Sequence, residues 1–250
     1  MSGKRGKGTR ETRPKRPVKP LIYAFYEGES EKQYLQQLKA RYRDAEVINI
    51  VSKPGLFKEA VSQFDKNPSL RENAEVTDEI WFFFDVGDTD GDEKSWDFIL
   101  PKMKSLRGKR KKPGIRVRLL MTTGCLEYWL LLHFQKCLPC LQRKEDRDKA
   151  EAELNQLCLK NWDKPYEKGD SDIIRRIFEA GAETAAEYGA SYLRKLEEEG
   201  LPALDNPDKP VNSQLDKRYQ WLLSCEKTFT TVQEALHFLS GLSPLKPART

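Results

Sequence analysis

The sequence predicts an α/β protein: a mainly parallel β-sheet flanked by helices, followed by an α-helical C-terminal half. Two observations carry this expectation. Short unbroken apolar runs, such as Leu21-Ile22-Tyr23-Ala24-Phe25-Tyr26 and Ile80-Trp81-Phe82-Phe83-Phe84, have the length and aromatic content of strands covered on both faces, as in parallel sheets. Up to Met121 these runs alternate with segments long enough for helical crossovers, and from Arg143 onward strand signals stop.

The composition sets the bounds. At 250 residues the chain accommodates one large domain, or one domain with a helical extension. A hydrophobic content of 38% and a mean hydropathy of −0.73 are polar values, yet five Trp and eleven Phe can build a core. No apolar run approaches the length of a membrane span, and none marks a signal peptide, so no membrane contact is expected and the cytoplasm is the expected compartment. An odd number of cysteines, five, argues against a disulfide framework. The expected organisation is a basic disordered tail at 1–20, an α/β domain at 21–142, a helical region at 143–242 and a short tail at 243–250.

The net charge of +5 conceals an asymmetry. Residues Met1 to Pro20 carry eight Lys or Arg against the single acid Glu11, a balance of +7, so the remainder stands near −2. Such a tail buries too little to order itself. It reads either as a solubilising arm or as one that lies against nucleic acid.

Taken in order, Leu21 to Tyr26 is the first strand and ends on Glu27. Ser30 and Gln33 form a capping-box pattern ahead of a helix at Glu31–Arg43, whose apolar positions are Tyr34, Leu35, Leu38 and Tyr42. The helix dipole by itself accounts for Glu29 and Glu31 in the first turn, but not for Glu27 at the strand end. Val47–Val51 reads as a second strand and Leu56–Phe64 as a second helix. The Ile80 strand, a helix at Trp96–Leu106 and a strand at Ile115–Met121 complete the β-α-β-α-β-α-β series. Thr123 is placed to cap a largely apolar helix running to Phe134. Helices are then expected at Leu154–Leu159, Ser171–Phe178, Ala182–Glu199, Leu215–Leu223 and Val232–Leu239. Thr231 and Glu234 form a second capping box, Gly241 is a C-terminal stop, and Gly200–Val211 is a Pro/Asp/Asn-rich loop.

The chemistry concentrates where strands end. Asp85, Asp88, Asp90 and Asp92 follow directly on the Ile80 strand, and unpaired carboxylates cannot be buried there without water or cations. In open α/β sheets, ligands sit beyond the carboxyl ends of the strands, so these acids point to a hard-cation site of the Mg²⁺ or Ca²⁺ type. Glu127 starts the helix after the last strand and falls near the same edge; dipole stabilisation of the helix start is the plainer alternative. The run Lys109, Arg110, Lys111, Lys112 with Arg116 is either a solvated face or a grip on a nucleic-acid backbone. His133-x3-Cys137-x2-Cys140 with Cys158 has spacing compatible with zinc, against the commoner reading of cysteine as a small buried hydrophobe.

Three segments carry a resemblance. Tyr26-Glu27-Gly28-Glu29-Ser30-Glu31 with Tyr34, Phe84-Asp85 with its following acids, and Cys125-Leu126-Glu127-Tyr128-Trp129-Leu130-Leu131-Leu132-His133-Phe134 resemble the signatures of the RloB-like family. Tyr166-Glu167-Lys168 and Thr230-Thr231-Val232 resemble its weaker C-terminal blocks, so the likeness spans about Leu21 to Leu242. It implies a TOPRIM-like fold and an effector of bacterial anti-phage defence, of the abortive-infection kind, often paired with an ABC-type ATPase. In that pattern a Glu after the first strand and two Asp after a later strand bind Mg²⁺. Glu27 and Asp85 match; Gly87 stands where the second Asp belongs. Either an inserted residue has moved the ligand to Asp88, the preferred reading, or Asp88-x-Asp90 is itself the pair.

The resulting expectation is a Mg²⁺-dependent nuclease, with Mn²⁺ as a substitute, acting on DNA or on tRNA and other RNA. Glu27, Asp85 and Asp88 (with Asp90 close behind) would hold metal, Glu127 would serve as ligand or base, and His133 as acid or base unless it is a core residue. The alternative is a non-catalytic, metal-binding regulatory subunit acting through an ATPase partner; homo-oligomers fit either. No Gly-rich nucleotide loop is present, so ATP hydrolysis would belong to the partner.

Overall fold

The computed structural model describes residues 19–43, 47–87, 92–136, 144–206 and 210–242. Most of the basic tail, the acidic positions Asp88 and Asp90, the cysteines Cys137 and Cys140, and the tail at 243–250 lie outside the described residues.

Among the described residues, four strands form one parallel sheet: β1 (Leu21–Tyr26), β2 (Val47–Ile50), β3 (Glu79–Val86) and β4 (Arg116–Thr123), in the order β2-β1-β3-β4. Helix α1 (Glu29–Tyr42) joins β1 to β2. Helices α2 (Phe57–Lys66) and α3 (Pro68–Asn73), with a 3₁₀ turn at Ala74–Val76, join β2 to β3, and α4 (Trp96–Arg107) joins β3 to β4. The expected α/β fold with parallel strands is the one found.

Period-two alternation divides the strands between two cores. Ile22, Ala24, Tyr26, Trp81, Phe83 and Leu120 face α1, and Tyr23, Phe25, Ile80, Phe82, Phe84, Val117 and Leu119 face α2 and α4. The helical half covers both faces. Helices α5 (Leu126–Leu131), α6 (Lys144–Trp162) and α9 (Val232–Leu242) join the first core, α8 (Asn212–Ser224) the second, and α7 (Ser171–Glu198) reaches both. It therefore shares its cores with the sheet.

The differences from expectation have local reasons. The two helices predicted on either side of Gly181 are one element, α7, kinked where Gly181 leaves helical geometry (φ −156°, ψ 23°). A Cβ at Gly181 would overlap the carbonyl of His133, so glycine allows the close approach of α7 to the end of α5. All three predicted hydroxyl caps are spent on tertiary partners. Ser30 lies inside α1, whose N-cap is Gly28, and its Oγ accepts the Gly169 N–H at 2.9 Å. Thr123 Oγ1 accepts from Phe229 N, and α5 is capped at Cys125 without a side-chain bond and is shorter than predicted. Thr231 Oγ1 donates to Leu119 O at 2.7 Å and accepts from Met121 N at 2.8 Å, which stitches the start of α9 to β4. Gly241 lies within α9 rather than ending it, α6 is longer than its apolar positions predicted, and α3 was not anticipated.

Candidate functional site

Strand order places a switch point between β1 and β3: α1, after β1, covers one face, and α4, after β3, covers the other. Ligand crevices of open α/β sheets form at this point, beyond the carboxyl ends of the strands. A cleft of about 590 Å³ opens there, lined by residues that include Gly28, Glu31, Asp85, Glu127, Arg147 and Lys168.

Glu27 stands directly after β1. Its Oε2 accepts the Asp85 N–H at 3.2 Å and the Lys94 ammonium at 3.0 Å, and Lys94 also donates to the Asp85 carbonyl at 2.7 Å. An ammonium thus already sits between the ends of β1 and β3. Asp85 emerges from β3 with Oδ1 enclosed and without a hydrogen-bond partner. Burial, and then the charges of Glu31, Glu127 and Glu27, push its carboxyl well above the ordinary value. Glu31, only 6% exposed, is pushed up to about 7 by burial and by Glu27 and Glu127. A Cβ at Gly28 would lie 2.8 Å from Glu31 Oε2, so a larger residue there would shift the Glu31 carboxylate.

Glu127 is 4% exposed, and its Oε1 accepts from the Tyr166 hydroxyl at 2.9 Å with Lys168 Nζ at 3.7 Å. Lys168 is held in turn by Glu151 of α6 at 2.8 Å. Burial and the charges of Glu127 and Asp85 push the Cys125 thiol far up, so it stays protonated and is no nucleophile. The cleft is therefore two-signed. Four carboxylates, Glu27 after β1, Glu31 of α1, Asp85 of β3 and Glu127 of α5, meet there and raise the proton affinity of Glu31 and Asp85, and Arg147 and Lys168 come from the helical half. Among the described residues, no three His, Cys, Asp or Glu side chains form a ready-made metal site. In donor chemistry the carboxylates suit a hard divalent cation, and the unpartnered Asp85 Oδ1 is an acceptor that such a cation would satisfy.

The structure brings Glu27, Asp85 and Glu127 together, as the sequence predicts. Asp88 and Asp90 lie outside the described residues, and the structure separates His133 and the basic run from this group. His133 is buried, with Nδ1 3.0 Å from the Trp129 carbonyl and Nε2 3.1 Å from the Tyr34 hydroxyl. The carbonyl can only accept, so Nδ1 carries the proton and Nε2 accepts from Tyr34. Burial lowers its pKa to about 4. His133 is thus a neutral core residue with both nitrogens engaged, which corrects the acid–base expectation and removes it as a zinc ligand. Cys158 is fully buried in the core.

The basic run is displaced as well. Lys109, Arg110, Lys111 and Lys112 precede β4 and Arg116 opens it, so they lie at the N-terminal edge of the sheet, about 26 Å along an eight-residue strand from the carboxylates. Lys109 pairs with Asp65, Arg110 with Asp78, and Arg116 with Glu79; Lys111 and Lys112 are exposed. Sequence reasoning passed over Glu31, whose position four residues after Glu27 was the available signal, and also Lys94, Arg147 and Lys168.

The sequence model described as RloB-like protein matches residues 22–234. No curated protein and no solved structure matches the chain. No helix among the described residues is long and apolar enough to cross a membrane.

Proposed function

Because the chain belongs to the RloB-like protein family, we propose that it is a metal-dependent nuclease of TOPRIM-like type, cutting DNA or tRNA and other RNA as an effector of anti-phage defence. One observation carries this reading: Glu27, Glu31, Asp85 and Glu127 gather at the switch point of the sheet, where burial and neighbouring carboxylate charge raise the proton affinity of Glu31 and Asp85. Such a group is electrostatically unfavourable until cations join it.

Glu27, Glu31 and Asp85 would hold Mg²⁺ or Mn²⁺, with Asp88 and Asp90 the further ligand candidates from the sequence. A bound cation of this kind polarises a phosphodiester and lowers the pKa of an attacking water. The chain's own residues do the rest. Glu127, oriented by the Tyr166 hydroxyl, accepts the proton of that water. Arg147 and Lys168 hold the non-bridging phosphate oxygens through charge-assisted hydrogen bonds. Lys94 keeps Glu27 and the Asp85 backbone in register. An ABC-type ATPase that holds or releases the effector is the proposed partner.

A second reading, a non-catalytic metal-binding subunit acting through that ATPase, draws on Gly87 standing where the family pattern has its second Asp and on the large helical half. The test incubates the wild type and Glu27→Ala with plasmid DNA and total tRNA in Mg²⁺, Mn²⁺ or EDTA. Cutting that needs the metal and is lost in the variant supports the nuclease. Cutting unimpaired by both Glu27→Ala and Asp85→Ala overturns it. A wild type that cuts nothing but co-purifies with an ATPase selects the second reading.

A further inference from the structure

The cations nearest the carboxylates are not those of the basic run. Helices α2 and α4 both begin at the C-terminal edge of the sheet, because each follows a strand that ends there. Their first turns place Lys58 and Phe98 side by side: Lys58 Nζ lies 5.2 Å from the centroid of the Phe98 ring, and Lys102 Nζ, one turn further along α4, lies 3.6 Å from it. Phe98 is half-buried, packed on one side against the second core. The shoulder connects to the crevice through consecutive residues, Glu93 paired with Lys58 and Lys94 bound to Glu27. Lys58 and Glu93 are about two-thirds exposed, at 64% and 66%, so this pair is weak and readily exchanged for another anion.

An aromatic ring flanked by two ammonium groups is the arrangement with which proteins hold a nucleic-acid strand whose bases are unstacked. The Lys102 ammonium rests over the Phe98 ring; a base that stacks there displaces it, and the freed ammonium, with Lys58, takes the neighbouring phosphates. A duplex hides its base faces and cannot use the ring. We infer that the α2–α4 shoulder, with Phe98 between Lys58 and Lys102, is a docking station for an unpaired stretch of strand leading into the carboxylate crevice. This rests on the nuclease reading and narrows its substrate to single-stranded or locally unpaired nucleic acid.

The test is fluorescence anisotropy with a labelled, unstructured 15-nucleotide oligonucleotide and with its duplex, using the full chain carrying Asp85→Asn in Mg²⁺. The single strand is expected to bind at least tenfold more tightly than the duplex. Adding Lys58→Glu and Lys102→Glu together should weaken single-strand binding more than tenfold. The slope of log affinity against log salt should fall by about 1.4, two single-strand phosphate contacts. Phe98→Leu, which keeps apolar volume but removes the ring, should cost about five- to a hundredfold. Lys111→Glu with Lys112→Glu, at the far edge, should change affinity less than twofold. Equal losses in the two lysine pairs, equal affinity for duplex and single strand, or no binding of either would each overturn the inference. Metal-dependent cleavage by the wild type alongside unchanged binding in the Lys58/Lys102 variant would remove this inference and leave the nuclease reading standing.

Discussion

At the N-terminal edge of the sheet, Glu79 opens β3 buried between Arg116 and Arg118. At the C-terminal edge Asp85, on the same strand, lies among Glu27, Glu31 and Glu127. Burial alone would raise the carboxyl pKa at both places. Around Glu79 the arginines, with the Trp81 indole N–H donating at 2.7 Å, reverse that and hold it below its ordinary value. Around Asp85 the neighbouring carboxylates add to it and outweigh the opposing Lys94 ammonium. The same functional group, a carboxylate, is thus matched at one end of a strand and mismatched at the other. Matched acids hold a sheet together; mismatched ones are tolerated where a ligand supplies the missing charge.

The sharpest way to break this comparison is to neutralise one acid at each end. Asp85→Asn should reduce metal-dependent cleavage by about 10³-fold while leaving the thermal midpoint in EDTA unchanged or higher, because it relieves repulsion. A clear drop in midpoint would place Asp85 with the structural acids. Glu79→Ala should do the opposite, costing about 3–5 kcal/mol in urea denaturation because it strands the buried Arg118. A cost below about 1 kcal/mol would show that the two ends do not differ.

Titration separates the edges by sign. Glu31 has a raised pKa, so its contribution to stability is full below its unfolded value near 4.5 and is lost as pH rises through about 7. In EDTA the wild type should lose about 3 kcal/mol relative to Glu31→Gln across that window. Glu79 has a lowered pKa, so its contribution is present above the unfolded value and is lost as pH falls through the folded one. A difference between wild type and Glu31→Gln that stays flat with pH would remove the mismatch. The smallest effect belongs to Lys111→Glu with Lys112→Glu, exposed and far from the cleft: stability should change within about 0.5 kcal/mol, and cleavage by less than twofold.

The sheet was legible because its strands are covered on both faces and read as continuous apolar runs. Glu27 and Asp85 were legible because an acid immediately after such a run has few places to go but the sheet edge. Glu31 was hidden because a helix dipole explains an acid in a first turn equally well, and only packing shows that this one turns into the cleft. Arg147 and Lys168 come from the helical half, and no local pattern announces their approach to β3 and α5. The hydroxyls of Ser30, Thr123 and Thr231 matched capping patterns locally but are taken by distant backbone groups, a choice made by tertiary structure. The placement of the Lys109–Lys112 run followed from topology that was itself readable: in an all-parallel sheet, the loop entering a strand lies at the opposite edge from the loop leaving one.

The central claim is that the acids beyond β1 and β3 form a site for a divalent cation. Isothermal titration of Mn²⁺ into the wild type, Asp85→Asn and the Lys111/Lys112 variant at neutral pH tests it most directly. The account predicts saturable binding to the wild type, the same binding to the lysine variant, and its loss in Asp85→Asn. No saturable binding to the wild type, or undiminished binding to Asp85→Asn, would contradict it.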